Sequence, residues 1–188
     1  MLQTNRRGTS CEVRSGAYQR RVPGFHPQCR LSASIAQSQK PEPNGRRGLS
    51  HATPVRVLVA EDFVQYRRCI CSTLASLCGL QVVGEVSDGL EAIQKAVELR
   101  PDLIVLDIGL PCLNGIETAR QISKLVPDSK IIFLTQESSS DVVQVALGLG
   151  ARGYVVKNKG GTDLVAAVEA VLSGMTFVSS LQALDNVT

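Results

Sequence analysis

Carboxylate side chains follow two apolar runs of this 188-residue chain, at the point where each run ends. Glu61 and Asp62 come directly after residues 55–60, and Asp107 comes directly after residues 103–106. Carboxylate oxygens suit Mg²⁺, which binds a few such ligands and keeps several of its waters. If the two runs are neighbouring strands, the sequence predicts a divalent-cation site formed by Asp62 and Asp107.

Two further polar side chains follow later apolar runs. Thr135 ends one run, and Lys157 lies just past another. An ammonium, a hydroxyl and a cation around one carboxylate suit an added dianionic group. Because carboxylates act as phosphoryl-accepting nucleophiles, Asp107 is the candidate acceptor. We expect its side chain to be presented to solvent at the end of a rigid strand.

Five apolar runs, alternating with helical patterns, are the elements that would position these residues. Each run is short, rich in Val, Ile and Leu, and continuous, which is typical of parallel strands covered on both faces. The alternation predicts an α/β fold with a parallel sheet, whose ligands bind at the carboxyl ends of the strands. The predicted strands are residues 55–60, 81–86, 103–107, 130–135 and 153–156.

The predicted helices carry apolar side chains at helical spacing, and two have polar residues suited to begin them. Asp88 and Asn114 each precede a Glu by three residues, a variant of the capping box. The apolar stripes are Phe63, Ile70, Leu74 and Leu77; Ile93, Ala96 and Val97; Ile116, Ala119, Ile122 and Val126; Val142, Val145, Ala146 and Leu149; and Leu164, Ala167, Val168, Val171 and Leu172.

Charge and composition divide the chain into two unlike parts. Residues 1–53 hold nine Lys/Arg and two Asp/Glu, a net charge of +7, whereas residues 54–188 have a net charge of −4. The first part is rich in Arg, Ser, Gln, Gly and Pro and is predicted to be disordered. It can be interpreted as a solvated tail, as a transit-peptide-like segment or as sequence upstream of the true start. We assign residues 54–177 to one domain and residues 178–188 to a short tail.

Other compositional features restrict the location and the partners. No apolar run approaches the roughly 20 residues that span a bilayer, so no membrane association is predicted. The six cysteines form no C-x-x-C pair, which favours reduced thiols and a cytoplasmic location. The aromatic residues of the N-terminal segment do not interleave with its arginines in a binding pattern, so the sequence does not favour nucleic-acid binding.

Residues 55–177 resemble the receiver domain of response regulators in bacterial two-component signalling, and most closely the NarL/LuxR type. That type usually carries a C-terminal helix-turn-helix, which the sequence lacks after residue 177. The residues that carry the resemblance are Glu61, Asp62, Asp107, Pro111, Gly115, Thr135 and the run Gly150-Ala151-Arg152-Gly153-Tyr154-Val155-Val156-Lys157.

The resemblance implies a doubly wound, flavodoxin-like sheet of five parallel strands in the order 2-1-3-4-5, with helices on both faces. It implies that Asp107 accepts a phosphoryl group from a histidine kinase or a histidine phosphotransfer protein. Asp62, Asp107 and the backbone carbonyl of Gly109 would hold Mg²⁺, and Glu61 would act through water.

The resemblance also implies a switch. Lys157 would pair with Asp107 and then with the phosphoryl oxygens, Thr135 would be drawn toward the phosphoryl group, and Tyr154 would swing inward behind it. A downstream protein would read the change on a face formed by residues 138–173.

Three positions depart from the family or tune its rates. Gln136 stands where the family usually keeps a small residue, and Gly109 and Glu137 occupy positions that affect dephosphorylation. The lifetime of the phosphorylated form therefore stays open.

The sequence favours a stand-alone receiver that signals by protein contact and is not a metabolic enzyme. The alternative is a truncated NarL/LuxR-type transcriptional regulator that has lost its DNA-binding domain. A phosphatase-like hydrolase using Asp107 is a third reading, although such hydrolases usually place a second acid where this chain has Gly109.

Overall fold

A computed structural model describes residues 53–179, except the side chains of residues 159 and 160. The predictions for the basic segment up to residue 52 and for the tail from residue 180 lie outside the described residues. Strands and helices alternate throughout the described part. In chain order they are β1 (Val55–Ala60), α1 (Val64–Ala75), β2 (Leu80–Val86), α2 (Gly89–Leu99), β3 (Leu103–Leu106), α3 (Gly115–Leu125), β4 (Lys130–Thr135), α4 (Ser140–Gly148), β5 (Gly153–Val156), a 3₁₀ turn (Lys157–Lys159), α5 (Gly160–Leu172) and β6 (Phe177–Val178).

The strands form one parallel sheet in the order β2-β1-β3-β4-β5-β6. The predicted α/β class and the order of the first five strands are confirmed. The prediction of five strands is wrong by one, because β6 adds to the outer edge of β5, pairing Phe177 with Gly153 and Val178 with Tyr154. A strand of two residues is too short to show any periodicity in a sequence.

The sheet is covered on both faces, as continuous apolar strands require. Along β1, Leu58 and Ala60 face a core shared with α2, α3 and α4. The alternate residues Val57 and Val59 face a second core shared with α1 and α5. Two buried layers therefore fix the strand ends rigidly in place.

The helix signals are largely confirmed. The Asp88 side chain accepts a hydrogen bond from Glu91 N at 2.8 Å, and Asn114 accepts one from Glu117 N at 2.9 Å. Three residues of the predicted stripes are exposed instead of buried: Phe63, Val97 and Val145. Among the described helices, none has the length and apolar character needed to cross a membrane.

Candidate functional site

The polar residues predicted from the sequence are brought together by the strand order. Strands β1, β3, β4 and β5 are parallel neighbours, so their carboxyl ends meet at one edge of the sheet. Glu61, Asp107 and Lys157 directly follow three of these strands, and Thr135 ends the fourth. The backbone continues the sheet into the site, since Asp107 N donates to Ala60 O at 2.9 Å.

Lys157 is the cationic centre of this edge. Its Nζ donates to Asp107 Oδ2 at 2.8 Å and lies 2.7 Å from Glu61 Oε2. The contact with Glu61 is an ion pair without the alignment of a hydrogen bond. Only 12% of the lysine side chain is exposed, so water screens these contacts weakly.

Three carboxylates cluster at this edge, and two of them pair with Lys157. One oxygen from each of Glu61, Asp62 and Asp107 lies within 4.8 Å of the other two. Glu61 is 1% exposed and Asp107 is 5% exposed, whereas Asp62 is open to solvent. Asp107 is therefore buried, whereas its position after a strand predicted a side chain presented to solvent. Solvent reaches the cluster on the side of Asp62.

The buried carboxylates Glu61 and Asp107 lack part of the positive charge and hydrogen bonding that buried acids normally have. Burial raises the pKa of Glu61 to about 7, an effect that Lys157 opposes and the neighbouring Asp107 increases. Asp107 Oδ1 is buried and has no hydrogen-bond partner among the described residues. Buried oxygens of this kind normally have a partner, and three clustered carboxylates are suitable ligands for a hard divalent cation. The residues therefore fit Mg²⁺.

A second set of contacts connects Thr135 to Tyr154. Thr135 is buried and its Oγ1 accepts a hydrogen bond from Glu137 N at 3.3 Å. The Tyr154 hydroxyl donates to Glu137 O at 2.9 Å. Burial, followed by the charge of Glu137, raises the pKa of Tyr154 to about 12, so its phenol stays protonated. The Tyr154 ring is fully buried, 6.3 Å from the ring of Phe133, so it already lies inward.

Glycines hold the loop after Asp107 close to the strand end. A Cβ on Gly115 would lie 2.0 Å from Asp107 O, so only glycine allows α3 to begin against that carbonyl. A Cβ on Gly109 would lie 3.4 Å from Asp107 Oδ2, which places the Gly109 backbone beside the carboxylate. Gln136 is exposed at the start of the loop that follows Thr135.

Helix α1 contributes two residues that the sequence analysis missed. Arg67 donates through Nη1 to the backbone carbonyl of Glu61 and also forms an ion pair with Glu85 at 3.6 Å. The Tyr66 ring centroid lies 5.0 Å from Lys157 Nζ. Their spacing of five and six residues from Glu61 places them on the first turns of α1, but which face of α1 meets the site depends on packing.

Known proteins similar to this chain include response regulators and their receiver domains. Residues 57–169 match the response regulator receiver domain family. The response regulator GacA of Pseudomonas viridiflava is 35% identical over 125 residues, which cover 66% of this chain. The chain spans 58% of the length of that protein.

Solved structures show the same likeness. A LuxR-family two-component response regulator from Aurantimonas sp. SI85-9A1 is 33% identical with a TM-score of 0.61, over 68% of this chain and 91% of that one. The isolated REC domain of RcsB from Salmonella enterica serovar Typhimurium, in the presence of the phosphomimetic BeF3-, is 26% identical with a TM-score of 0.64, over 68% of this chain and 94% of that one.

A further RcsB structure contains two dimers bound to two parallel DNAs, with 26% identity and a TM-score of 0.63 over 68% of this chain and 65% of that one. The family match alone covers more than half of the present chain. The chain therefore belongs to the family of response regulator receiver domains, which act in signalling rather than as metabolic enzymes.

Proposed function

We propose that this receiver domain accepts a phosphoryl group on Asp107 and signals through the change that follows. The surroundings of Asp107 carry the proposal. One of its oxygens is paired with Lys157 at 2.8 Å, the other is buried without a hydrogen bond among the described residues, and two more acids lie beside it. An ammonium already in place can stabilise charge that develops on a transferring phosphoryl group.

The transfer step is a displacement at phosphorus. A carboxylate oxygen of Asp107 attacks the phosphorus of the donor, and the bond from phosphorus to the leaving group breaks with its electron pair on that group. Lys157 Nζ then exchanges its hydrogen bond to Asp107 for one to the phosphoryl oxygens. The proposed donor is a phosphohistidine on a histidine kinase or a histidine phosphotransfer protein, which implies a cytoplasmic location.

We assign a Mg²⁺ ion to Asp62, Asp107 and the backbone carbonyl of Gly109, with Glu61 acting through water. The clustered carboxylates and the unpartnered Asp107 Oδ1 support this assignment. The bound ion would neutralise charge on the phosphoryl oxygens. Ionisation of Glu61, which burial opposes, would be favoured by the added positive charge.

The proposed switch runs through the turn between β4 and α4. If the Thr135 hydroxyl moves toward the phosphoryl group, it must break or shift the bond it accepts from Glu137 N. Glu137 O in turn accepts from the buried Tyr154 hydroxyl. These two bonds support a coupling between the site and the face formed by residues 138–173, where we place the contact with a downstream protein.

The test is phosphorylation of the full chain by acetyl phosphate and Mg²⁺, followed by intact mass. We expect a phosphoryl-sized gain that is lost in base, as for an acyl phosphate, and none in Asp107→Asn. Omitting Mg²⁺ should abolish the gain. A gain of equal size in Asp107→Asn would contradict the proposal, as would steady turnover of the donor without labelled protein, which would favour a hydrolase.

A NarL/LuxR-type transcriptional regulator, which binds DNA through a separate domain, is the second candidate, because an RcsB relative is bound to DNA in a solved structure of which this chain matches 65%. The two outputs differ in what the phosphorylated chain binds. Electrophoretic mobility shifts on DNA fragments, with and without acetyl phosphate, would reveal a DNA-binding output. Phosphorylation-dependent capture of a purified protein partner, lost on substitution of the exposed Val145 in α4, would support a protein output.

A further inference from the structure

Lys157 has a third neighbour that is not an acid. Tyr66, on the first turn of α1, places its ring centroid 5.0 Å from Lys157 Nζ, within the range of a cation–π contact. Its hydroxyl also donates to the backbone carbonyl of Lys157 at 3.4 Å. The ring is half-buried and packs against the core between the sheet and helices α1 and α5.

We propose that Tyr66 is a positioning residue, whose ring holds the Lys157 ammonium beside Asp107 for phosphoryl transfer. This inference rests on the function proposed above.

The other two contacts of the ammonium change during that reaction. A lysine head on a four-carbon stem has many rotamers, and its carboxylate partners Glu61 and Asp107 lie 2.7 and 2.8 Å away. Both carboxylates are proposed to interact with Mg²⁺, directly or through water, and Asp107 becomes an acyl phosphate. Each event weakens the attraction of these oxygens for Lys157.

An aromatic face keeps its attraction through these events. It attracts a cation by its quadrupole, adds no negative charge and takes no hydrogen bond from the ammonium. The phenol stays neutral, since partial burial raises the pKa of Tyr66 above its usual value. The ring can therefore hold the ammonium at the same place before and after transfer.

The test compares Tyr66→Leu with Tyr66→Phe in the full chain. We measure the rate of labelling by acetyl phosphate, the affinity for Mg²⁺ and the melting temperature. Tyr66→Leu should label about three- to tenfold more slowly, in line with the strength of a cation–π contact. Tyr66→Phe, which keeps the ring, should restore most of the rate. Ser72→Leu, at an exposed position of the same helix, is the matched control.

A double-mutant cycle separates positioning from a general structural role. If the ring acts through the ammonium, Tyr66→Leu should cause no further loss of rate in a Lys157→Ala background. Mg²⁺ affinity should stay near that of Ser72→Leu, and any fall in melting temperature from lost core packing should be the same in both backgrounds. Equal losses in both backgrounds, or a Tyr66→Phe variant as slow as Tyr66→Leu, would overturn the inference.

Labelling of the parent chain separates failure of the proposed function from failure of the role proposed for Tyr66. If it is not labelled at all, the proposed function fails and the role of Tyr66 fails with it. If the parent is labelled on Asp107 and Tyr66→Leu is labelled at the same rate, only the inference about Tyr66 fails.

Discussion

Lys157 lies among more negative charge than one ammonium can neutralise. Glu61, Asp62 and Asp107 offer oxygens within 4.8 Å of one another. Burial raises the pKa of Glu61 to about 7, an effect that Lys157 opposes and the neighbouring Asp107 increases. A divalent cation would offset the negative charge of this cluster. The three acids lie together only in the folded protein. Binding of Mg²⁺ should therefore stabilise the folded protein.

We predict that Mg²⁺ raises the free energy of unfolding by about 1.4 kcal/mol at ten times its Kd, since it binds only the folded state. In Asp62→Asn the gain should be much smaller at the same concentration, because a neutral amide is a weaker ligand. Urea unfolding with and without Mg²⁺ measures both. Asp128→Asn, another exposed acid outside the cluster, is the control and should keep the full gain.

At the scale of elements, the start of α3 determines where Asp107 lies. Gly115 N donates to Ile108 O at 2.9 Å, and its missing side chain leaves room for Asp107 O. The backbone at the start of α3 therefore packs directly against the backbone of the loop that begins at Asp107.

Gly115→Ala should destabilise the fold by about 2–3 kcal/mol, because the added methyl group meets a carbonyl that can move only with the loop. Labelling of Asp107 should slow as well. Gly148→Ala, at the end of α4, is the matched control, since a Cβ there would meet no atom within 4 Å outside its own stretch of helix, and it should be neutral or slightly stabilising. Equal stabilities for the two variants, measured by urea unfolding, would contradict this account.

Strand β6 is held by more than its two backbone pairs. Ser179, just after it, is buried; its Oγ accepts from Val156 N at 3.2 Å and donates to Asp163 Oδ2 at 2.6 Å. One hydroxyl thus joins β6, β5 and α5.

Ser179→Ala leaves the Val156 amide without that acceptor, and we predict a loss of about 1–2 kcal/mol of stability. Hydrogen exchange at Val156 should accelerate more than at Ile132, in the centre of the sheet. Ser173→Ala, at an exposed position after α5, is the control. Unchanged exchange at Val156 would show that the hydroxyl does not hold the strand.

At the scale of the whole molecule, the sequence predicted those features of the fold that depend on neighbouring residues or on a repeated pattern. Continuous apolar runs predicted the first five strands to within one residue at each end, and parallel strands place their ends at one edge. That logic predicted the meeting of Asp107 with Lys157. Strand β6 was not predicted, because a strand of two residues is too short to show a periodic pattern in the sequence.

Features that depend on packing between elements could not be predicted. The contact of Tyr66 with Lys157 depends on the rotation of α1 over the sheet, and the burial of Asp107 depends on how the neighbouring elements pack around the strand end. Tyr154 was expected to move inward on phosphorylation, yet its hydroxyl is already bonded to Glu137 O. The balance between inward and outward positions is a property of the whole domain.

Phosphorylation should change the dynamics of the domain through this tyrosine. We predict that acetyl phosphate alters amide exchange across α4 and β5 in the parent, and much less in Tyr154→Phe, which keeps the ring but loses the bond to Glu137 O. Both proteins should label on Asp107 at similar rates. If the exchange response is the same in both, the coupling does not pass through the hydroxyl. Asp107→Asn controls for effects of the donor itself.

The direction of β6 has a mechanical consequence. Because it runs parallel to β5, its final residues arrive at the same edge of the sheet as the acidic cluster. The Ser179 hydroxyl accepts a hydrogen bond from the backbone amide of Val156, and Lys157 is the next residue in the chain. A displacement of this strand would therefore reach the lysine across one hydrogen bond and one peptide unit, and a displacement of the lysine would travel back by the same short route.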